Sequence, residues 1–162
     1  MADKPLYPVE LFLPDRHGIA LWYSGEQDGL LLQADGKLQI FPDCTDALAF
    51  ARELGYTPAE SITVYAYPPL QALQQGQVDC PSLLHWWNLF SDIAQSVHQP
   101  FSGDARDEKT QNLYNKLFYG CNLPAMRQGG PLYHPVWSDE ERILLQKILR
   151  DGLALTTAYL PD

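Results

Sequence analysis

Along the first 80 residues, short apolar runs alternate with turn-forming clusters. "PVELFL", "GIALWYS", "GLLLQA", "KLQIFP" and later "SITVYAY" are rich in β-branched and aromatic residues and read as strands. Asp35-Gly36 in "ADGK" is a two-residue hairpin signal, because both central positions need a positive φ that Gly adopts freely and Asp tolerates. With "PDRHG" and "GEQDG" as the other connections, the pattern predicts a four-stranded antiparallel meander. A helix follows over "DCTDALAFARELGYT", with Asp43 as its N-cap, Leu48, Ala51 and Leu54 on one face, and Gly55 ending it. After the last strand, "PPLQALQQG" predicts a short helix begun by proline and stopped by Gly76.

Beyond residue 80 the period changes. Leu83, Trp86, Trp87, Phe90, Ile93, Ala94 and Val97 recur three and four residues apart, with Asn88, Asp92 and Gln95 opposite; a stripe this regular predicts a buried helix face. "HQPFSGDARDEKTQ" reads as a polar link, and "NLYNKLFYG" as a short helix closed by Gly120, with Asn122 expected to tie down the chain where that helix stops. The final helix opens on a capping box of Ser138 and Glu141 and is expected to stop at Gly152. The expected fold is therefore α+β. It has an N-terminal antiparallel sheet of four to five strands with one or two helices, then a helical C-terminal half packed on it. One domain spans residues 1–162, strand-rich and acidic over 1–80 and helical over 81–162.

Charge narrows the function. Residues 1–80 hold 11 acidic and 4 basic side chains, residues 81–162 hold 9 and 7, and the chain carries a net −9. That field repels phosphate backbones, which argues against nucleic-acid binding and suits a basic protein. No apolar run is long enough for a membrane span or a signal-peptide core, so a cytoplasmic protein is expected. Cys44, Cys80 and Cys121 are too widely spaced for a metal clip and are expected as reduced thiols.

The sequence carries no catalytic signature. His17, His85, His98 and His134 lack ligand spacing, and "RQGGPLYHP" leads into proline rather than a helix, so neither a metal site nor a phosphate loop is expected. No cofactor is implied. Cys121 with His134 could form a nucleophile and base, but nothing in the sequence orients the pair, and a buried thiol beside a loop imidazole is the simpler expectation.

The helix "WNLFSDIAQSV", the segment "LYNKLFYGCNLPAM" and the entry "YHPVWSDEE", in that order, resemble a bacterial immunity-protein family. Such proteins accompany the toxins of contact-dependent growth inhibition and related polymorphic toxin systems. The resemblance covers roughly residues 84–152. It implies a non-catalytic protein that binds one cognate toxin domain, one to one, and covers its active or substrate surface. A nuclease toxin has a basic cleft, which an acidic inhibitor matches. Trp22, Tyr23, Glu26, Asp28, Asp35 and Asp43 are the expected contact residues, aromatic anchors ringed by charge. The competing expectation puts one of Trp22 and Tyr23 in the core and leaves the acids as solubilising surface. Two other functions stay open: an adaptor or effector chaperone that neutralises nothing, and a hydrolase whose pocket gathers His134, Asp92 and Cys121.

Overall fold

The computed structural model describes residues 5–59, 61–67, 70–123 and 128–162. The chain is α+β, a five-stranded N-terminal sheet followed by a helical C-terminal half. The strands are β1 (Pro5–Phe12), β2 (His17–Tyr23), β3 (Gly29–Leu30), β4 (Thr57–Pro58) and β5 (Thr63–Ala66). The helices are α1 (Cys44–Glu53), α2 (Leu70–Gln74), α3 (Cys80–Ser96), α4 (Glu108–Gly120) and α5 (Asp139–Ala158), with a 3-10 turn at Ser102–Asp104.

The sheet is mixed rather than antiparallel. β1 pairs antiparallel with β2, and β2 with β3, but β4 and β5 both run parallel to β1 along its other side. The reason is α1. A helix between strands carries the chain back to its starting end, so the next strand enters in the same direction as the first. The predicted fourth strand, "KLQIFP", does not form a ladder. Its backbone is divided among partners: Leu38 N donates to Tyr159 O, Gln39 N to Leu31 O, and Phe41 exchanges both bonds with Ile19. A turn forms at Asp35-Gly36, but not the two-residue one expected: Gly36 has φ 88° while Asp35 has no positive φ, Gly36 N donates to Gln33 O, and Lys37 N donates to Asp35 Oδ1.

The chain divides into two compact units. The first runs to Tyr67 and also takes in Asp92–Pro100 and Leu155–Asp162; the second holds the remainder. The expected division at residue 80 is thus replaced by an interleaved one, in which α3 and α5 each contribute residues to both units.

In the first unit, Leu6, Ile19 and Leu21 of the sheet bury with Phe41 and with Ala47 and Ala51 of α1. Asp43 caps α1 by accepting from Asp46 N. The last turns of α3 are tied to the sheet by polar contacts: Trp22 Nε1 donates to Asp92 Oδ2 at 3.0 Å, and Leu30 N donates to Ser96 Oγ at 3.0 Å. Gly29 is required beside them, since a Cβ there would fall 2.7 Å from Ser96 Oγ and 2.6 Å from the Tyr23 hydroxyl.

In the second unit the stripe on α3 is core, as its period predicts. Trp86, Trp87 and Phe90 are fully buried, as are Leu113, Leu117, Leu145, Ile148 and Leu149 from α4 and α5. The Trp87 indole donates to Gly103 O at 3.2 Å, which satisfies the polar atom that burial would otherwise strand.

Two predicted helix boundaries shift. α4 begins at Glu108, where Asp107 caps it by accepting from Thr110 N, so part of the expected polar link is helical. α4 ends at Gly120, as expected, and the left-handed residue after it is Asn122 at φ 56°. Gly152 does not stop α5; it lets the Phe90 ring press on the helix backbone, where a Cβ would meet ring carbon Cδ2 at 2.1 Å. The predicted proline start of α2, Pro68 and Pro69, lies outside the described residues, as does Pro124 of the Asn-Leu-Pro loop.

Candidate functional site

The expected contact residues all lie in the first unit. Trp22 and Tyr23 end β2 and are half-buried. The Trp22 ring lies 5.4 Å from the Tyr7 ring at a tilt of 56° and its N–H is bound to Asp92, while Tyr23 packs against the cluster under α1. Glu26 is exposed in the following loop, and Asp28 accepts from Ser24 Oγ at 3.1 Å. The β2–β3 turn thus brings these four together. Asp35 and Asp43 are exposed too, but each carboxylate is occupied locally, in the Lys37 turn and the α1 cap. Asp92, opposite Trp22, also acts on Tyr65: burial, and then the Asp92 charge, raises the Tyr65 phenol above its ordinary pKa.

The second unit holds an arrangement of which the sequence pointed only to the tie at Asn122. Asn122, in its left-handed position, clamps an extended segment: Tyr133 N donates to its Oδ1 at 2.6 Å, and its Nδ2 donates to Tyr133 O at 2.9 Å. Farther along the segment, the Lys116 ammonium donates to Val136 O and to both Glu141 oxygens, at 2.9 and 3.0 Å, and lies 4.8 Å from the centre of the Trp137 ring. Glu141 in turn accepts from Ser138 N, completing the predicted capping box. Burial works to raise the Glu141 pKa, but the Ser138 N–H and the Lys116 charge outweigh it and hold the carboxyl below its usual range. The sequence signals were present: an Asn directly after a helix, and a Tyr-x-Pro-x-Trp run too apolar for an idle loop.

A cleft of about 330 Å3 lies between this strap and the start of α3, lined in part by Asp79, Cys80, Asn122, His134 and Trp137. The thiol in its lining is not activated for attack. Burial, then the neighbouring Cys121 and Asp79, pushes the Cys80 thiol up to about 11. Burial raises Cys121 as well, and its thiol donates to Leu117 O at 3.3 Å. A thiol held protonated is a poor nucleophile. Asp92, the third member of the suggested hydrolase set, belongs to the first unit and serves Trp22. Among the described residues, no group of three or more His, Cys, Asp or Glu side chains is placed to hold a metal ion, and no helix is long and apolar enough to cross a membrane.

No family model matches the chain, and no curated protein matches it in sequence. Among solved structures, the chain is similar to the SatS C-terminal domain, whose crystal structure was determined in complex with bromine. The match has a TM-score of 0.57 at 11% identity, over 96% of this chain and 92% of that one. At that identity the likeness is one of fold.

Proposed function

We propose that this chain is an immunity protein: it binds the toxic domain of a contact-dependent growth inhibition or related system and neutralises it by covering a basic active or substrate surface. The observation that carries this reading is the partition of charge. The first unit holds 12 acidic against 4 basic side chains, the second 8 against 7. Glu26, Asp35, Asp43, Asp46 and Glu53 are exposed on that first unit. A concentrated acidic surface steers a basic partner into encounter and holds nucleic acid away from the same region. The resemblance of residues 84–152 to immunity proteins supports the same reading.

The test is to co-express the chain with the reading frame beside its gene. Restored growth, with a one-to-one complex whose association slows as salt rises, is the expected result. Absence of a complex, or a complex that leaves the neighbour toxic, overturns the reading.

A further inference from the structure

One end of the sheet in the first unit is an open surface whose continuity is fixed by strand register. Val64 of β5 lies opposite Glu10 of β1, and Glu10 opposite Ile19 of β2; two residues on, Ala66 lies opposite Phe12, and Phe12 opposite His17. Residues paired in this way point to the same side of a sheet. It is the side on which Leu6, Ile19 and Leu21 pack with Ala47 and Ala51 of α1. Beyond that cluster the surface is uncovered: Val64 is 53% and Phe12 42% exposed, and the His17 and Glu10 side chains are 42% and 24% exposed. The polar groups on it are held in place. His17 Nε2 is 2.7 Å from Glu10 Oε2, and the His17 ring lies 4.4 Å from the Phe12 ring at 33°. The imidazole anchors one carboxylate oxygen, and the other can accept from a further donor. A carboxylate, two rings and an aliphatic side chain thus stand side by side on paired strands.

We infer that this surface receives an arginine side chain of a basic protein partner, which rests on the immunity function proposed above and gives that partner a contact point. Two observations select the occupant. The first is charge. The unit that carries the surface holds 12 acidic against 4 basic side chains. Glu10 is the acid on the surface itself, and the adjoining turn holds one acid and one base, Asp15 and Arg16. An apolar or acidic patch docked here would strip water from a carboxylate with an oxygen left to satisfy, which is costly; a cation satisfies it. The second is the chemistry of the neighbours. A guanidinium is planar, so it stacks on a ring while its N–H groups meet a carboxylate, and its stem covers apolar surface such as Val64. An ammonium pairs with the carboxylate but lacks the flat face for stacking. Glu26 and Asp35 in the turns then supply the field that attracts the partner, and Glu10 with Phe12 holds the docked side chain.

Two measurements let this inference and the immunity function fail separately. In the first, backbone amide shifts of the full chain are followed by NMR as Ac-Gly-Arg-Gly-amide is added to ~20 mM, a range suited to the weak affinity of one side chain. The shifts should be largest at Glu10, Phe12, His17 and Val64 and smaller with the lysine peptide. They should be lost in Glu10→Gln, which keeps the size of the side chain and a partner for His17 but removes the charge. No shifts, shifts confined to the turns at Glu26 and Asp35, or equal shifts with both peptides overturn the inference. In the second, Val64→Lys sets a cation of the chain's own opposite Glu10 at an exposed position, where it fills the site as a cross-strand pair. It should weaken binding of the toxin domain more than tenfold. Thr63→Lys, which adds the same charge to the opposite side of the same strand, should not. A complex that neutralises the toxin and is indifferent to both Glu10→Gln and Val64→Lys overturns the inference and leaves the immunity function standing. Absence of any complex overturns the immunity function, and the peptide titration still decides whether the surface takes arginine.

Discussion

Three residues show how the same backbone problem is solved at different cost. His98 and Asn122 both follow a helix with φ at 56°, a conformation that disfavours a Cβ. Asn122 uses its side chain to clamp Tyr133, whereas His98 is exposed and ends α3 with Gln99 N donating to Ala94 O. His98→Gly should therefore raise stability by about 0.5–1 kcal/mol in urea unfolding, through relief of the left-handed strain. Asn122→Gly relieves the same strain but frees the strap. It should lower stability or leave it level, and it should raise amide exchange at Tyr133, which His98→Gly should not. Gly152 is the inverse case. Alanine is the better helix former by about 1 kcal/mol, yet its methyl would overlap the Phe90 ring, and overpacking of this kind costs about 1–3 kcal/mol. Gly152→Ala should destabilise, and the loss should shrink when combined with Phe90→Leu, as a double-mutant cycle would reveal.

At the scale of elements, what the sequence displayed was periodicity and caps. α1 and the stripe of α3 follow the 3.6-residue pattern because one face of each is buried, although in α1 the buried residues are Ala47 and Ala51 while Leu54 is 51% exposed. β2 is instead buried at consecutive positions from Gly18 to Leu21, and β5 is mostly exposed. What it did not display were decisions made by distant partners. Glycine in α5 looks like a stop until Phe90 is placed against it, and "KLQIFP" looks like a strand until Leu38 bonds to Tyr159, 121 residues later in the chain. The strap was legible only in part: the sequence pointed to Asn122 as a tie, but not to Tyr133 as what it holds or to Lys116 as the second anchor. Its joint with α5 has a pH signature. The Glu141 pKa is depressed in the folded chain, so its contribution is complete above the unfolded carboxylate pKa and is lost as pH falls through the folded value. Both side chains of the pair are largely covered. Lys116→Met, which keeps the stem but removes the charge, should cost about 1 kcal/mol at neutral pH. The deficit should fade at acid pH below the depressed folded pKa of Glu141, where the carboxyl of both variant and parent is protonated. An equal deficit at both pH values would mean that Lys116 acts by packing over Trp137 rather than through Glu141.

For the whole molecule, the count of charges was open to view but its distribution was not. A cut at residue 80 separates net charges of −7 and −2, whereas the folded units separate −8 and −1, because Asp92 and Asp162 join the acidic one while Asp79 leaves it. Concentrated charge acts chiefly on the rate of encounter, since it works at distances beyond contact and is felt before any side chain docks. The proposed immunity function therefore makes a kinetic prediction. Glu26→Gln, Asp35→Asn and Asp46→Asn together remove three charges from exposed positions while leaving the α1 cap at Asp43 intact. Against the toxin domain, the triple variant should associate about tenfold more slowly at low salt, with dissociation little changed, and the gap should close at high salt. Asp43→Asn tests the remaining carboxylate without unfolding the helix, because Asn caps as well as Asp. Should the triple variant instead dissociate faster at every salt concentration, these side chains would be in direct contact with the toxin, and the acidic turns would be the interface itself rather than the field that leads the partner to it.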